Sequence, residues 1–70
     1  MKKIKLSTGA EVEMREPKVR DIKLVNNIKD EFDKEMALLS NLTEMSKEEL
    51  EDLTMQDFSK LDEALQVFLS

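Results

Sequence analysis

Cysteine and histidine are both missing from these 70 residues. Without Cys there is no disulfide, no thiolate metal site and no nucleophilic thiol. Without His the commonest general base and metal ligand is gone. Trp and Tyr are also absent, so Leu, Ile, Val, Met and three Phe must build the core. One Gly and one Pro leave few places where the chain is forced to turn. No window approaches the ~20 apolar residues of a membrane span. Met1 to Leu6 mixes Lys with single apolar residues and has no signal-peptide core, so a cytoplasmic location is expected. The length fits one domain, residues 1–70, and a chain this short buries only about 60% of its unfolded surface. With disulfides and the usual metal ligands excluded, self-association or a partner is the expected source of extra stability.

Charge is present but uneven. The net charge of −5 combines a balance of +3 over residues 1–20 with −8 over residues 21–70. An acidic body argues against nucleic acid, where Lys and Arg must neutralise phosphate. Lys2, Lys3 and Lys5 suit an edge strand, where Lys discourages pairing with other chains. They also offer a docking patch for an acidic partner, including another copy.

Period-two alternation surrounds Ser7-Thr8-Gly9-Ala10. Ile4 and Leu6 alternate with Lys3 and Lys5, and Val12 and Met14 with Glu11 and Glu13. This predicts a β-hairpin over 1–16, with Gly9 at a turn position of positive φ and Lys3/Lys5 across from Glu11/Glu13. Such a hairpin is not stable alone and must rest its apolar face on helices. Pro17 ends the strand and fits the first turn of a helix.

Residues 18–42 predict one long or two short helices. Ile22, Val25, Ile28, Phe32, Met36 and Leu39 recur at helical spacing, within a sector of roughly 120°. Leu24, Leu38 and Leu42 fall about 100° to one side on the same geometry. Either one helix buries a wide face, or it breaks near Asn26–Asp30 with Asp30 as a second N-cap. A short helix over 46–53 comes next, opened by the capping box Ser46/Glu49. The last helix, 55–69, starts at Thr54 with Asp57 favouring its N-terminus by charge. It lines up Met55, Phe58, Leu61, Leu65, Phe68 and Leu69. The fold class is α+β, an N-terminal β-hairpin packed on a bundle of three to four short helices.

No residue carries a catalytic signature, and no catalytic, cofactor-binding or metal-binding residue is assigned. The pairs Glu48/Glu49, Glu51/Asp52 and Asp62/Glu63 are helix neighbours that point apart, the pattern of solvated faces. Ser40, Ser46, Thr54 and Ser59 have no base partner. Asp30–Glu35 lacks the alternating ligands and central Gly of a calcium loop. The chemistry that remains is apolar contact. Leu24, Leu38 and Val67 lie off the main stripes, Leu69 ends the last apolar turn, and Met45 is one of five methionines, a residue suited to adaptable surfaces. These five are the candidate partner-binding residues, for a helix laid on a helical surface.

Five collinear segments carry a family resemblance. They are IKLSTGAEVEMREP (Ile4–Pro17), VRDI (Val19–Ile22), EMALLSNLT (Glu35–Thr43), MSKEELEDL (Met45–Leu53) and MQDFSKLDEALQVFL (Met55–Leu69). Together they resemble the small tail assembly chaperones of contractile-tailed bacteriophages and Mu-like prophages. Relatives often carry small or Gly-rich residues where this chain has Asn26–Asp30. The resemblance implies a non-enzymatic protein of the bacterial host cytoplasm that coats the helical tape-measure protein before the tail tube polymerises. Tail tube protein is a further expected partner and self-association is expected, with the off-stripe Leu and Met making helices two and four the expected client- or self-contacting surface. In several such proteins a ribosomal frameshift adds a second domain; no binding motif carries over residue by residue. Two other classes stay open: a small acidic regulator, such as an antitoxin or anti-repressor that neutralises a basic partner, and a minor phage structural component.

Overall fold

The computed structural model describes residues 1–69 of the chain. Two strands, β1 (Lys2–Lys5) and β2 (Glu11–Met14), precede four helices: α1 (Val19–Val25), α2 (Glu31–Thr43), α3 (Lys47–Glu51) and α4 (Met55–Leu69). The α+β expectation holds.

The hairpin forms as the alternation predicts. Its register places Ile4 opposite Val12, Lys3 opposite Glu13 and Lys5 opposite Glu11. Gly9 sits at φ +92, the positive region where a Cβ is unfavourable. The Leu6 N–H donates to Ala10 O at 2.8 Å and the Gly9 N–H to Leu6 O at 3.0 Å, closing the turn. Because side chains alternate across a strand, Ile4, Leu6, Val12 and Met14 share the inner face and are all buried. β1 packs on α4 and β2 on α2, which supplies the support a lone hairpin lacks.

The helix over 18–42 breaks. α1 ends at Val25, and the Asp30 carboxylate opens α2 by accepting from the Asp33 N–H at 3.0 Å. The break rotates α2 relative to α1. Leu38, Leu39 and Leu42 turn inward with Met36 and are buried, whereas Ile22 and Phe32 are 40% and 57% exposed. A stripe drawn through an unbroken helix therefore places Ile22 and Phe32 inside wrongly and leaves Leu38 outside wrongly.

At its other end α2 stops on Glu44, whose φ of 62 is the left-handed cap conformation. The Arg15 N–H donates to Leu42 O at 2.9 Å, joining β2 to this end of α2. α3 starts with the predicted capping box: Ser46 Oγ accepts from the Glu49 N–H at 3.1 Å, and Glu49 Oε1 accepts from the Ser46 N–H at 2.9 Å. It covers Lys47–Glu51, shorter than expected. Thr54 Oγ1 caps α4 by accepting from the Asp57 N–H at 3.1 Å. Leu61 and Leu65 of α4 are fully covered, while Phe58 and Phe68 are half-buried and Met55 is 78% exposed.

Candidate partner-binding groove

α1 and α4 both pack on α2, and between them they leave a groove of about 480 Å³. Val25, Leu38 and Leu65 form its buried floor, and exposed Ile22, Phe32 and Leu69 stand on its rim. Each helix contributes for a local reason. α1 is short and ends before Asn26, so Ile22 is never covered. Phe32 lies in the first turn of α2, ahead of the part that meets the core. Leu69 ends α4. On its other side Phe32 stacks obliquely on Phe58, ring centres 5.7 Å apart, and helps line a smaller depression of about 170 Å³ with Met36, Leu50, Leu53 and Met55. Phe32 is therefore an apolar ridge between two hollows.

The five residues singled out from sequence do not form one patch. Leu69 is 48% exposed on the groove rim. Leu38, expected on an outer face, is 5% exposed in the floor because the helix break turned it inward. Leu24 is 67% exposed on α1, outside the groove lining. Met45 is half-buried against the core, its N–H donating to Thr43 Oγ1 at 3.2 Å and its carbonyl accepting from Ser40 Oγ at 2.6 Å. Val67 is exposed beside a different depression lined by Lys2, Lys3, Lys5 and Lys60. Ile22 and Phe32 are the rim residues that sequence reasoning missed. The signal that locates them is Asp30 taken as an N-cap, since that cap ends the continuous stripe.

Acidic residues divide into three structural roles. Asp57 is buried, and its carboxylate does more than favour the start of α4. It accepts from the Ser7 N–H at 2.9 Å and from Ser7 Oγ at 2.8 Å, with Lys60 Nζ 3.7 Å away. The Ser7 N–H and hydroxyl, with Lys60, hold its pKa below the ordinary value. It ties the helix start to the hairpin turn. Asp21 is likewise buried. It takes both guanidinium nitrogens of Arg15 at 2.9 Å and the Lys18 N–H at 2.7 Å, bracing α1 against β2. Arg15 and the Lys18 N–H lower its pKa to about 2.

Glu35 and Asp62 are the third case. They face each other from α2 and α4, and Glu35 also lines the groove. Hydrogen bonding to Asp62, then burial, then the charge of Asp62 push the Glu35 carboxyl up to about 7. Asp62 Oδ1 is buried, and no N–H or hydroxyl among the described residues reaches it. Asp62 is thus not the solvated helix neighbour its sequence context predicts. Among the described residues no group of His, Cys, Asp and Glu is placed to hold a metal ion. No helix among them is long and apolar enough to cross a membrane.

The arrangement offers an apolar floor and rim interrupted by Asn26, Glu31, Lys34, Glu35 and Gln66, which suits contact with another protein segment. The sequence model of a family described as phage tail assembly chaperone proteins, E, or 41 or 14, covers residues 3–70. No curated protein and no solved structure matches the chain.

Proposed function

The chain belongs to the phage tail assembly chaperone family, and on that premise we propose that it holds the tape-measure protein in solution by seating a helical segment of it in the groove between α1 and α4. The exposure of Ile22, Phe32 and Leu69 around one trough is the observation that carries this reading. Large apolar side chains gathered at one place on a small protein mark an interaction site. An amphipathic helix presents anchors at i, i+3, i+4 and i+7, a spacing that lays several apolar groups along such a trough. The −8 balance of residues 21–70 keeps the loaded complex soluble by mutual repulsion. The protein acts without catalysis, in the host cytoplasm, before the tube closes around its client. Tail tube subunits and further copies of the chain are the secondary partners.

Co-expression with the tape-measure protein tests this. The wild-type chain is expected to bring the client into the soluble fraction and to copurify with it. The variant Phe32→Ser/Leu69→Ser should keep its fold by circular dichroism, because about half of each side chain is exposed, yet lose the client. Equal client solubility with and without the chain would refute the reading. Recovery of the chain in finished particles would favour a structural component instead.

A further inference from the structure

β1 and α4 pack together, and beside them lies a depression of about 300 Å³ that shares no lining residue with the groove. Lys2, Lys3, Lys5 and Lys60 line it, with Glu63 the one acid among the described residues. Lys3 and Lys5 stand on the outer face of the hairpin, opposite Glu13 and Glu11 in register. Yet among the described residues no carboxylate comes within 4.0 Å of Lys2, Lys3 or Lys5. Lys60 is turned to Asp57 at 3.7 Å, and its Nζ donates to the Lys5 carbonyl at 3.4 Å. That contact occupies an edge carbonyl of β1, so the face is poorly suited to adding another strand. Val67 stands exposed among these lysines.

The complementary surface is on the same chain. Glu48, Glu51 and Asp52, three and four positions apart, share one side of α3 and its C-cap and are exposed. Among the described residues no Lys or Arg lies within 4.0 Å of any of them. Glu49 is engaged in the Ser46 cap, and Lys47 is the one cation of the helix. Met55, three positions beyond Asp52, is 78% exposed. Each surface thus joins unpaired charge of one sign to one exposed apolar side chain, lysines with Val67 and carboxylates with Met55. We propose that the depression beside β1 and α4 receives α3 of a second copy of this chain, with Glu48, Glu51 and Asp52 against Lys2, Lys3 and Lys5, and Met55 against Val67. The proposal rests on the self-association part of the reading above, not on the groove or the client.

A second copy fits this face better than a nucleic acid does, because the −8 balance of residues 21–70 repels phosphate. Exposed ion pairs are individually weak, and two chains of like net charge repel one another. The association is therefore modest, is populated at high protein concentration, and takes its specificity from the charge pattern. Reversing the charge of one face sets like charges against each other. Reversing opposite faces in two separate chains restores the match between them.

Sedimentation equilibrium of the full chain without client, from micromolar to millimolar concentration, tests this. Wild type should associate reversibly. Lys3→Glu/Lys5→Glu and Glu51→Lys/Asp52→Lys should each, alone, weaken association by about tenfold or more. An equimolar mixture of the two should associate at least as tightly as wild type. Circular dichroism monitors the fold of each. Lys3→Gln/Lys5→Gln, which removes the charge without setting acids across from Glu13 and Glu11, should weaken association in the same direction. A wild type that stays monomeric over the whole range overturns the proposal. So does association that either reversal leaves unchanged, or a mixture that stays monomeric. A monomeric wild type that binds a single-stranded oligonucleotide overturns it too, and assigns the lysines to phosphate. None of these outcomes bears on the groove, which stands or falls on client solubility.

Discussion

Glu35 makes the stability of this protein depend on pH in a range where such a chain should be insensitive. It has no histidine, the side chain that ordinarily titrates there. The folded-state pKa is about 7 against an ordinary value of 4.5, so the folded protein holds a proton that the unfolded chain has released. Stability changes with pH in proportion to the protons bound unfolded minus those bound folded. That difference is negative between the two values. Stability is therefore full below the ordinary value and falls as pH rises toward and through about 7. At about 1.36 kcal/mol per pH unit the gap sets an upper bound of about 3 kcal/mol. Water still reaches part of the Glu35 side chain and screens the interaction, which reduces the expected effect to about 1 kcal/mol. For a domain of this size that is about 4–8 °C in Tm.

Thermal melts followed by circular dichroism at pH 5 and pH 8, on wild type and Glu35→Gln, measure it directly. Glutamine imitates the protonated acid: its amide donates to Asp62 and does not titrate. Wild type and variant should melt together at pH 5, and the variant should melt higher at pH 8. Asp62→Asn should flatten the same dependence from the other side. A constant difference between wild type and Glu35→Gln across the range would refute the shared-proton arrangement. A wild-type Tm that rises toward pH 8 would refute it too.

Three further outcomes are expected from the geometry. Leu61→Ala empties a fully buried site in α4 and should cost about 2–5 kcal/mol, lowering Tm by more than about 8 °C; a shift of under about 2 °C would contradict its place in the core. Gly9→Ala should destabilise by about 1 kcal/mol through the +92 φ alone, since a Cβ there meets no atom within 4 Å, whereas Glu44→Gly should raise Tm by relieving a left-handed cap. Asp57→Ala should free the hairpin turn, with Ser7 amide exchange faster in the variant and α2 exchange unchanged. The pKa of Asp57 is lowered, so its contribution is present above the ordinary carboxylate range and lost on acidification, and acid melts of the variant should fall less steeply than those of wild type.

Local chemistry made much of this fold legible in sequence. The hairpin could be read from strict alternation around one glycine, because a strand's faces have period two. The capping box of α3 could be read from Ser46 and Glu49, whose partners lie three residues apart in the chain. The five-segment resemblance pointed to the family that the match over residues 3–70 establishes. The groove was less legible, for a definable reason. Helical periodicity assigns faces only while the helix continues, and Asn26–Asp30 interrupt it. A continuous helix and a broken one were both compatible with the residues, and the two place Phe32 and Leu38 on different sides.

What the sequence determined by itself was every feature whose partners are neighbours along the chain: the turn at Gly9, the caps at Asp30, Ser46 and Thr54, the acidic body and the absence of a histidine or a thiol. What only the tertiary structure decided was every feature that joins distant segments. Asp57 reaches Ser7 across 50 positions. Glu35 meets Asp62 from another helix, and Ile22, Phe32 and Leu69 gather around one trough. Spacing within a helix says which side chains share a face. It does not say what stands opposite that face, and here the opposing element turns an ordinary acid into a proton-sharing pair and two expected core residues into the rim of an open groove.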